Sequence, residues 1–152
     1  IVDAVYRLLR ERGYTDLLVN IGGDLRAAGG GPDGSHTLRI MDPFRPDRPV
    51  VELEVGDKAV ATSGNAYRSV LIGDLRYGHL IDPRSGRPAP FEGSVTVLAA
   101  NAAMADALAT ALFVLGPDEG LALAKRTPGL DVVYVSRSEI RSTLPGISQP
   151  RK

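Results

Sequence analysis

The chain has 152 residues, enough for one domain with a buried core or for part of a larger one. Its eighteen basic and eighteen acidic side chains cancel, which leaves no electrostatic footprint for nucleic acid, and no uninterrupted apolar run approaches the ~20 residues of a membrane span. With no cysteine, thiol catalysis, zinc–thiolate sites and disulfides are excluded.

Val2, Val5, Leu8 and Leu9 form the apolar face of an opening helix that Gly13 closes. Residues 17–21 (LLVNI) read as a short buried strand, and Gly22-Gly23-Asp24 turns sharply after it. Helix, strand and glycine turn suggest an α/β arrangement with a ligand at the strand's C-terminal end, but the GxGxxG fingerprint of dinucleotide binding is missing. A glycine-rich loop at 29–34 leads to a strand at 37–41, and the three prolines of 42–49 predict irregular structure. Residues 50–55 (VVELEV) alternate like a half-buried antiparallel strand, and 58–62 read as another that ends at Ser63-Gly64. Residues 94–100 (SVTVLAA) are a β-rich run feeding a small-residue helix over 101–116. A second helix at 118–126 follows the Gly116-Pro117 break, and a last strand covers 132–136. Beyond Ser138 the pattern fades, so residues 1–138 are expected to carry the fold and 139–152 to be a flexible tail. The fold class is therefore α/β, as an α+β sandwich: a mostly antiparallel sheet with helices packed on one side.

Chemistry concentrates in two stretches. On the helix over 101–116, Asp106 and Thr110 stand four apart and share a face, among Ala105, Ala107, Ala109 and Ala111. A carboxylate and a hydroxyl on such a helix suit a hard cation such as Mg²⁺, which takes oxygen ligands. The competing reading makes Asp106 a first-turn acid favoured by the helix dipole and Thr110 a donor to its own helix. The second stretch is residues 77–90 (YGHLIDPRSGRPAP). His79 could accept a proton or bind phosphate, and Arg84 and Arg87 could grip phosphate oxygens. The alternative is a polar β-turn with His79 as a satisfied strand residue. The small-residue turn of Ser63-Gly64-Asn65 suits either a ligand edge or an ordinary hairpin.

LVNIGGDLRAAG, ATSGNAYR, GHLIDPRSGRPAP and ADALATALFVLG occur in an order and spacing that resembles the ApbE family, the FAD:protein FMN transferases. The resemblance covers the chain except its last dozen residues. It implies Mg²⁺ on Asp106 and Thr110, and His79 beside the FAD diphosphate in a catalytic role. It also implies that Gly23, Ser63, Gly64, His79, Ile81 and Ala109 line the FAD site. The implied partners are FAD as substrate and a target protein with an acceptor Thr or Ser; the implied compartment is the cell envelope, outside the cytoplasm. The reaction would move FMN onto that hydroxyl and release AMP. Water in place of the acceptor would give an FAD pyrophosphatase, and a non-catalytic flavin-binding fragment is the reading from another class. Two departures stand out. Ser63-Gly64-Asn65-Ala66-Tyr67 is one residue longer than the family's Ser-Gly-x-Tyr. Ile1-Val2-Asp3 also matches just after a Lys-Gly pair and an Ala whose carbonyl binds the metal, so the resemblance implies a C-terminal portion of such an enzyme.

Overall fold

The computed structural model describes residues 1–65, 69–72, 75–147 and 149–151. In chain order its elements are α1 (Val2–Glu11), β1 (Leu17–Ile21), β2 (Asp24–Ala28), β3 (His36–Asp42), β4 (Arg45–Val55), β5 (Ala59–Gly64), β6 (Ser69–Ile72) and β7 (Leu75–Gly78). They continue with β8 (Ile81–Asp82), β9 (Arg87–Pro88), β10 (Ser94–Ala99), α2 (Ala102–Lys125), β11 (Asp131–Val135), β12 (Glu139–Ser142) and β13 (Gln149–Pro150).

One seven-stranded sheet runs β1-β2-β5-β10-β11-β12-β13, and every pairing in it is antiparallel. Its middle strand, β10, is buried at every position. The period of two along each strand sorts the core into two layers. Val95, Val97 and Ala99 of β10 join Ala59 and Ala61 of β5 and Ala28 of β2 on the face covered by α1 and α2. Leu25, Ala27, Val60, Leu98, Val133 and Val135 face the other way, onto Ile40, Val51, Leu53 and Val55 of the β3–β4 hairpin. Thr62 and Thr96, paired across β5 and β10, bond to each other at 2.8 Å, so the buried Thr96 hydroxyl is satisfied by the exposed Thr62. The expected antiparallel sheet with helices on one side is what forms, and the β3–β4 hairpin covers the second face.

Helix boundaries follow elementary rules. Gly13, at φ +89, lets the chain close α1 with Gly13 N–H donating to Arg10 O at 3.0 Å and Tyr14 N–H to Leu9 O at 3.2 Å. In α2, Gly116 leaves the helical region at φ +79 and Pro117 follows, so the expected break is there and α2 consists of two helical segments that meet at a kink. The buried Tyr134 hydroxyl donates to Leu112 O at 2.8 Å just before that kink. A Cβ at Gly120 would lie 1.7 Å from the same hydroxyl, so close packing dictates glycine there. By length and composition α2 could cross a membrane; here it packs along β5 and β10.

Three expectations change. Residues 17–21 form an edge strand in which only Val19 is buried, because β1 has a neighbour on one side alone. Residues 45–49 are strand despite Pro46 and Pro49, because β4 pairs only with β3 and its register shifts at Ile40, Met41 and Asp42, where missing donors are tolerated. Residues 139–151, read as a tail, contain β12 and β13 and are tied to the body by a buried charge. Asp42 is fully buried and accepts from Phe44 N–H at 2.9 Å, from Arg45 Nε at 3.3 Å and from Arg151 Nη2. Arg137 stacks over Phe44 at 4.1 Å, and Arg151 lies on the same ring.

Burial alone would raise the Asp42 carboxyl; the Phe44 N–H and the Arg151 and Arg45 guanidinium groups outweigh it and hold it below the ordinary 3.8. A depressed folded-state value adds stability above the unfolded value and loses it as pH falls through the folded one. Arg151→Ala should therefore lower the unfolding free energy by about 1–3 kcal/mol at neutral pH. The gap from wild type should close as pH drops below 3.8, which paired denaturant titrations would measure.

Candidate functional site

The alternation that fills the core also sets the site. Along β5, Ala59, Ala61 and Ser63 fall on one face. The first two are core residues on the α2 side, so Ser63 emerges at the end of that row, facing α2. Small residues meet across the layer, with Ala59, Ala61 and Ala99 on the sheet and Ala102, Ala105 and Ala109 on the helix. Without bulk between them, helix and sheet approach closely, and Ser63 Oγ lies 3.0 Å from Thr110 Oγ1. Asp106, one turn before Thr110, is exposed on the same side of α2. Two motifs 47 residues apart thus share a hydrogen bond at the surface.

A second carboxylate belongs to this face. In β2, Leu25 and Ala27 point to the hairpin layer, so Asp24, Arg26 and Ala28 point to the helices. Burial raises the Asp24 carboxyl, and the charge of Asp106 raises it further. Among the described residues no three His, Cys, Asp or Glu side chains cluster as a metal site. The face instead offers carboxylate and hydroxyl oxygen from Asp106, Thr110, Ser63 and Asp24. Such a donor set, with negative charge accumulating on it, fits Mg²⁺ held by one or two carboxylates with phosphate and water completing its shell.

The start of α2 is fully accounted for. Ala102 N–H and Ala103 N–H donate to the two oxygens of Asp3 at 2.9 and 3.0 Å. Met104 N–H donates to Asn101 Oδ1 at 2.9 Å, and Ala105 N–H to Asn101 O at 3.0 Å. Burial would raise the Asp3 carboxyl, but these N–H groups and Arg26 hold it below its ordinary value. A protein carboxylate therefore fills the position where a phosphate would bind a helix N-terminus.

The other stretch separates into a part that borders a cleft and a part that closes on itself. A cleft of about 520 Å³ is lined by Asn65, Tyr77, Gly78, Arg87, Ala89 and Glu92, among others. Asn65 follows Ser63-Gly64 and Gly78 precedes His79, so the two motifs border one cleft. His79 is exposed between β7 and β8, and Ile81 is half exposed on β8. Asn65, in the lengthened motif, donates through Nδ2 to Phe91 O at 3.0 Å and accepts Gly93 N–H at 3.3 Å. Tyr67 lies outside the described residues. Arg84 wraps its guanidinium around Asp82, with Nε at 3.0 Å and Nη2 at 3.0 Å, so the polar-turn reading holds for this pair. Arg87 is exposed and lines the cleft. Gly23, at φ +106, is exposed and donates to Asn20 Oδ1 at 3.2 Å. Ala109 has its side chain wholly in the helix–sheet core and does not join the surface group.

Sequence reasoning missed Asp3, Asp24 and Arg26. For Asp24 and Arg26 the signal was present: DLRAA alternates, with Ala28 as the inward end of their row. For Asp3 there was none, because its partner Ala102 is 99 residues away.

The ApbE family model matches residues 1–134. An FAD:protein FMN transferase of Vibrio cholerae is 42% identical over 128 residues, covering 82% of this chain and 38% of the relative. One from Treponema pallidum is 34% identical over 146 residues, covering 89% and 40%. Among solved structures, the ApbE protein of Thermotoga maritima superposes with a TM-score of 0.78 at 31% identity, covering 88% of this chain and 44% of that one. The chain thus spans about two fifths of the length of the relatives it matches.

A Cβ at Gly78 would stand 2.9 Å from Asn65 Cβ, and Asn65 is pinned by its bonds to Phe91 and Gly93. Gly78→Ala should therefore cost about 1–3 kcal/mol of stability through overpacking. Urea unfolding of the variant against wild type measures it; an unchanged midpoint would show that Asn65 is free to move.

Proposed function

The chain belongs to the ApbE family, and from that premise we propose that it supplies part of a Mg²⁺-dependent site that transfers FMN from FAD to a Thr or Ser hydroxyl of a target protein. The observation that carries this reading is the 3.0 Å contact of Ser63 and Thr110 beside the exposed Asp106. It brings the flavin-site turn and the cation-site helix of the family resemblance onto one surface.

In the proposed reaction the acceptor hydroxyl oxygen attacks the FMN phosphorus of FAD. The phosphoanhydride bond breaks, and AMP leaves with its electron pair. Such a transfer depends on positioning and on neutralising phosphate charge rather than on covalent catalysis. Asp106 and Thr110 would hold Mg²⁺, with Asp24 adding negative charge behind them. When bound, Mg²⁺ supplies Lewis-acid polarisation of phosphate oxygens. His79 takes the proton of the acceptor hydroxyl. Arg87 steadies phosphate at the cleft, whereas Arg84 is spent on Asp82. Ser63 and Gly64, the last residues of β5, set how closely the flavin nucleotide approaches that end of the strand.

In the intact protein, given FAD, Mg²⁺ and an acceptor, transfer should appear as the mass of one FMN added to the acceptor. Asp106→Ala should abolish Mg²⁺-dependent transfer while leaving the melting curve nearly unchanged, because the side chain is exposed. His79→Ala should slow single-turnover transfer by about 10²–10⁴-fold with little change in FAD affinity, as expected for lost acid–base catalysis. FMN release to water, undiminished by acceptor, would replace transfer with pyrophosphatase activity. Normal transfer by a folded Asp106→Ala variant would remove the metal assignment.

A further inference from the structure

We propose that Asp3 is a positioning residue for the Asp106–Thr110–Ser63 face, acting through the first turn of α2; the inference rests on the metal-site reading above. The geometry is a clamp between two helices. Asp3, on the first turn of α1, accepts Ala102 N–H at 2.9 Å and Ala103 N–H at 3.0 Å. Its Oδ1 also accepts Arg26 Nη1 at 2.7 Å. Arg26 lies over the Tyr6 ring at 4.0 Å, and the Tyr6 hydroxyl donates to Asp57 Oδ1 at 2.5 Å. One carboxylate therefore ties α2 to α1, to β2 and, through Tyr6, to the turn before β5.

These bonds fix more than stability. Asp106 follows Ala103 by less than one helical turn, and Thr110 lies one further turn along. Rotation or tilt of α2 at its first turn swings Asp106 over the sheet and stretches the 3.0 Å contact between Thr110 and Ser63. Asn101 cannot prevent this alone, because it belongs to the same connection and caps only Met104 N–H. Asp3 is the outside anchor. It also serves Asp24 indirectly, since Arg26 shares the inward row of β2 with Asp24 and is oriented by the same carboxylate.

The test is carried out on the intact protein with Mn²⁺ alone as the probe, its affinity read by water-proton relaxation, together with a melting curve and amide exchange at Ala102 and Ala103. Asp3→Asn keeps a neutral acceptor for one N–H, and Asp3→Ala keeps none. Leu53→Ala, in the core on the opposite face of the sheet, is the control for plain destabilisation. The expected result is Mn²⁺ affinity weakened about tenfold by Asp3→Asn and more by Asp3→Ala, the range typical of groups that orient metal ligands. Faster exchange at Ala102 and Ala103 should accompany it, and Leu53→Ala should lower the melting temperature without changing Mn²⁺ affinity. If Asp3→Ala does not fold, the Asp3→Asn comparison decides. Unchanged Mn²⁺ affinity in a folded Asp3→Asn variant that melts lower would make Asp3 a stabilising cap and overturn the inference. Wild type that binds no Mn²⁺ would overturn the metal reading itself, and the inference with it.

Discussion

Everything in this structure is arranged around a strand with no exposed residue. β10 is buried along its whole length, so both faces of the sheet must be covered, and the chain covers them by different means. The helices take one face and the β3–β4 hairpin takes the other. Each fully buried Val on β10 contributes on the order of 1.5–3 kcal/mol of hydrophobic stabilisation. The Thr62–Thr96 bond at 2.8 Å prevents the threonine row from costing an unsatisfied hydroxyl. A polar substitution along β10 would therefore lose stability whichever face it pointed to.

The same constraint makes the surface chemistry possible. Beside the site the helix layer is lined by alanine, with Ala59 and Ala61 on β5 and Ala102, Ala105 and Ala109 on α2, so the helix lies close to β5 there. That closeness is what lets a short serine side chain at the end of a strand reach a threonine on a helix. Large residues in the same positions would fill the core equally well but would lift α2 away. The site is in this sense a by-product of tight packing, with Asp106 and Thr110 at the rim and Ala105 and Ala109 beneath them. Stability is held elsewhere, in β10 and in the buried Asp42 with its arginines, which leaves the rim free to carry like charge.

Much of this was legible in the chain. The strands at 50–55 and 58–62 follow from their composition and alternation, and the helix break from Gly116-Pro117, whereas Ser63-Gly64, which reads as a turn, continues β5 in the ladder with β10. The pairing of Asp106 with Thr110 follows from helical spacing. What was not legible shares one cause, dependence on partners distant in sequence. LLVNI looks central by composition, but its place at the sheet edge is decided by which strand lies beside it. Pro46 and Pro49 look incompatible with a strand until β4 is seen to pair on one side only. The segment after Ser138 has weak periodicity because its strands are short and its anchors are scattered: Ile140, Leu144 and Ile147 on the second core, and an ion pair between residues 109 apart. Arg84 looks like a phosphate ligand in sequence and is an internal partner of Asp82 in space.

The proposed cation site on α2 has Asp106 and Thr110 as its ligands. An anomalous-scattering map of the intact protein crystallised with Mn²⁺ and FAD tests it most directly. The expected result is a manganese peak within coordination distance of the Asp106 carboxylate and Thr110 Oγ1, with phosphate oxygens of FAD completing the shell. A peak held by other residues, or FAD bound with Asp106 turned to solvent and no peak beside it, would contradict the account.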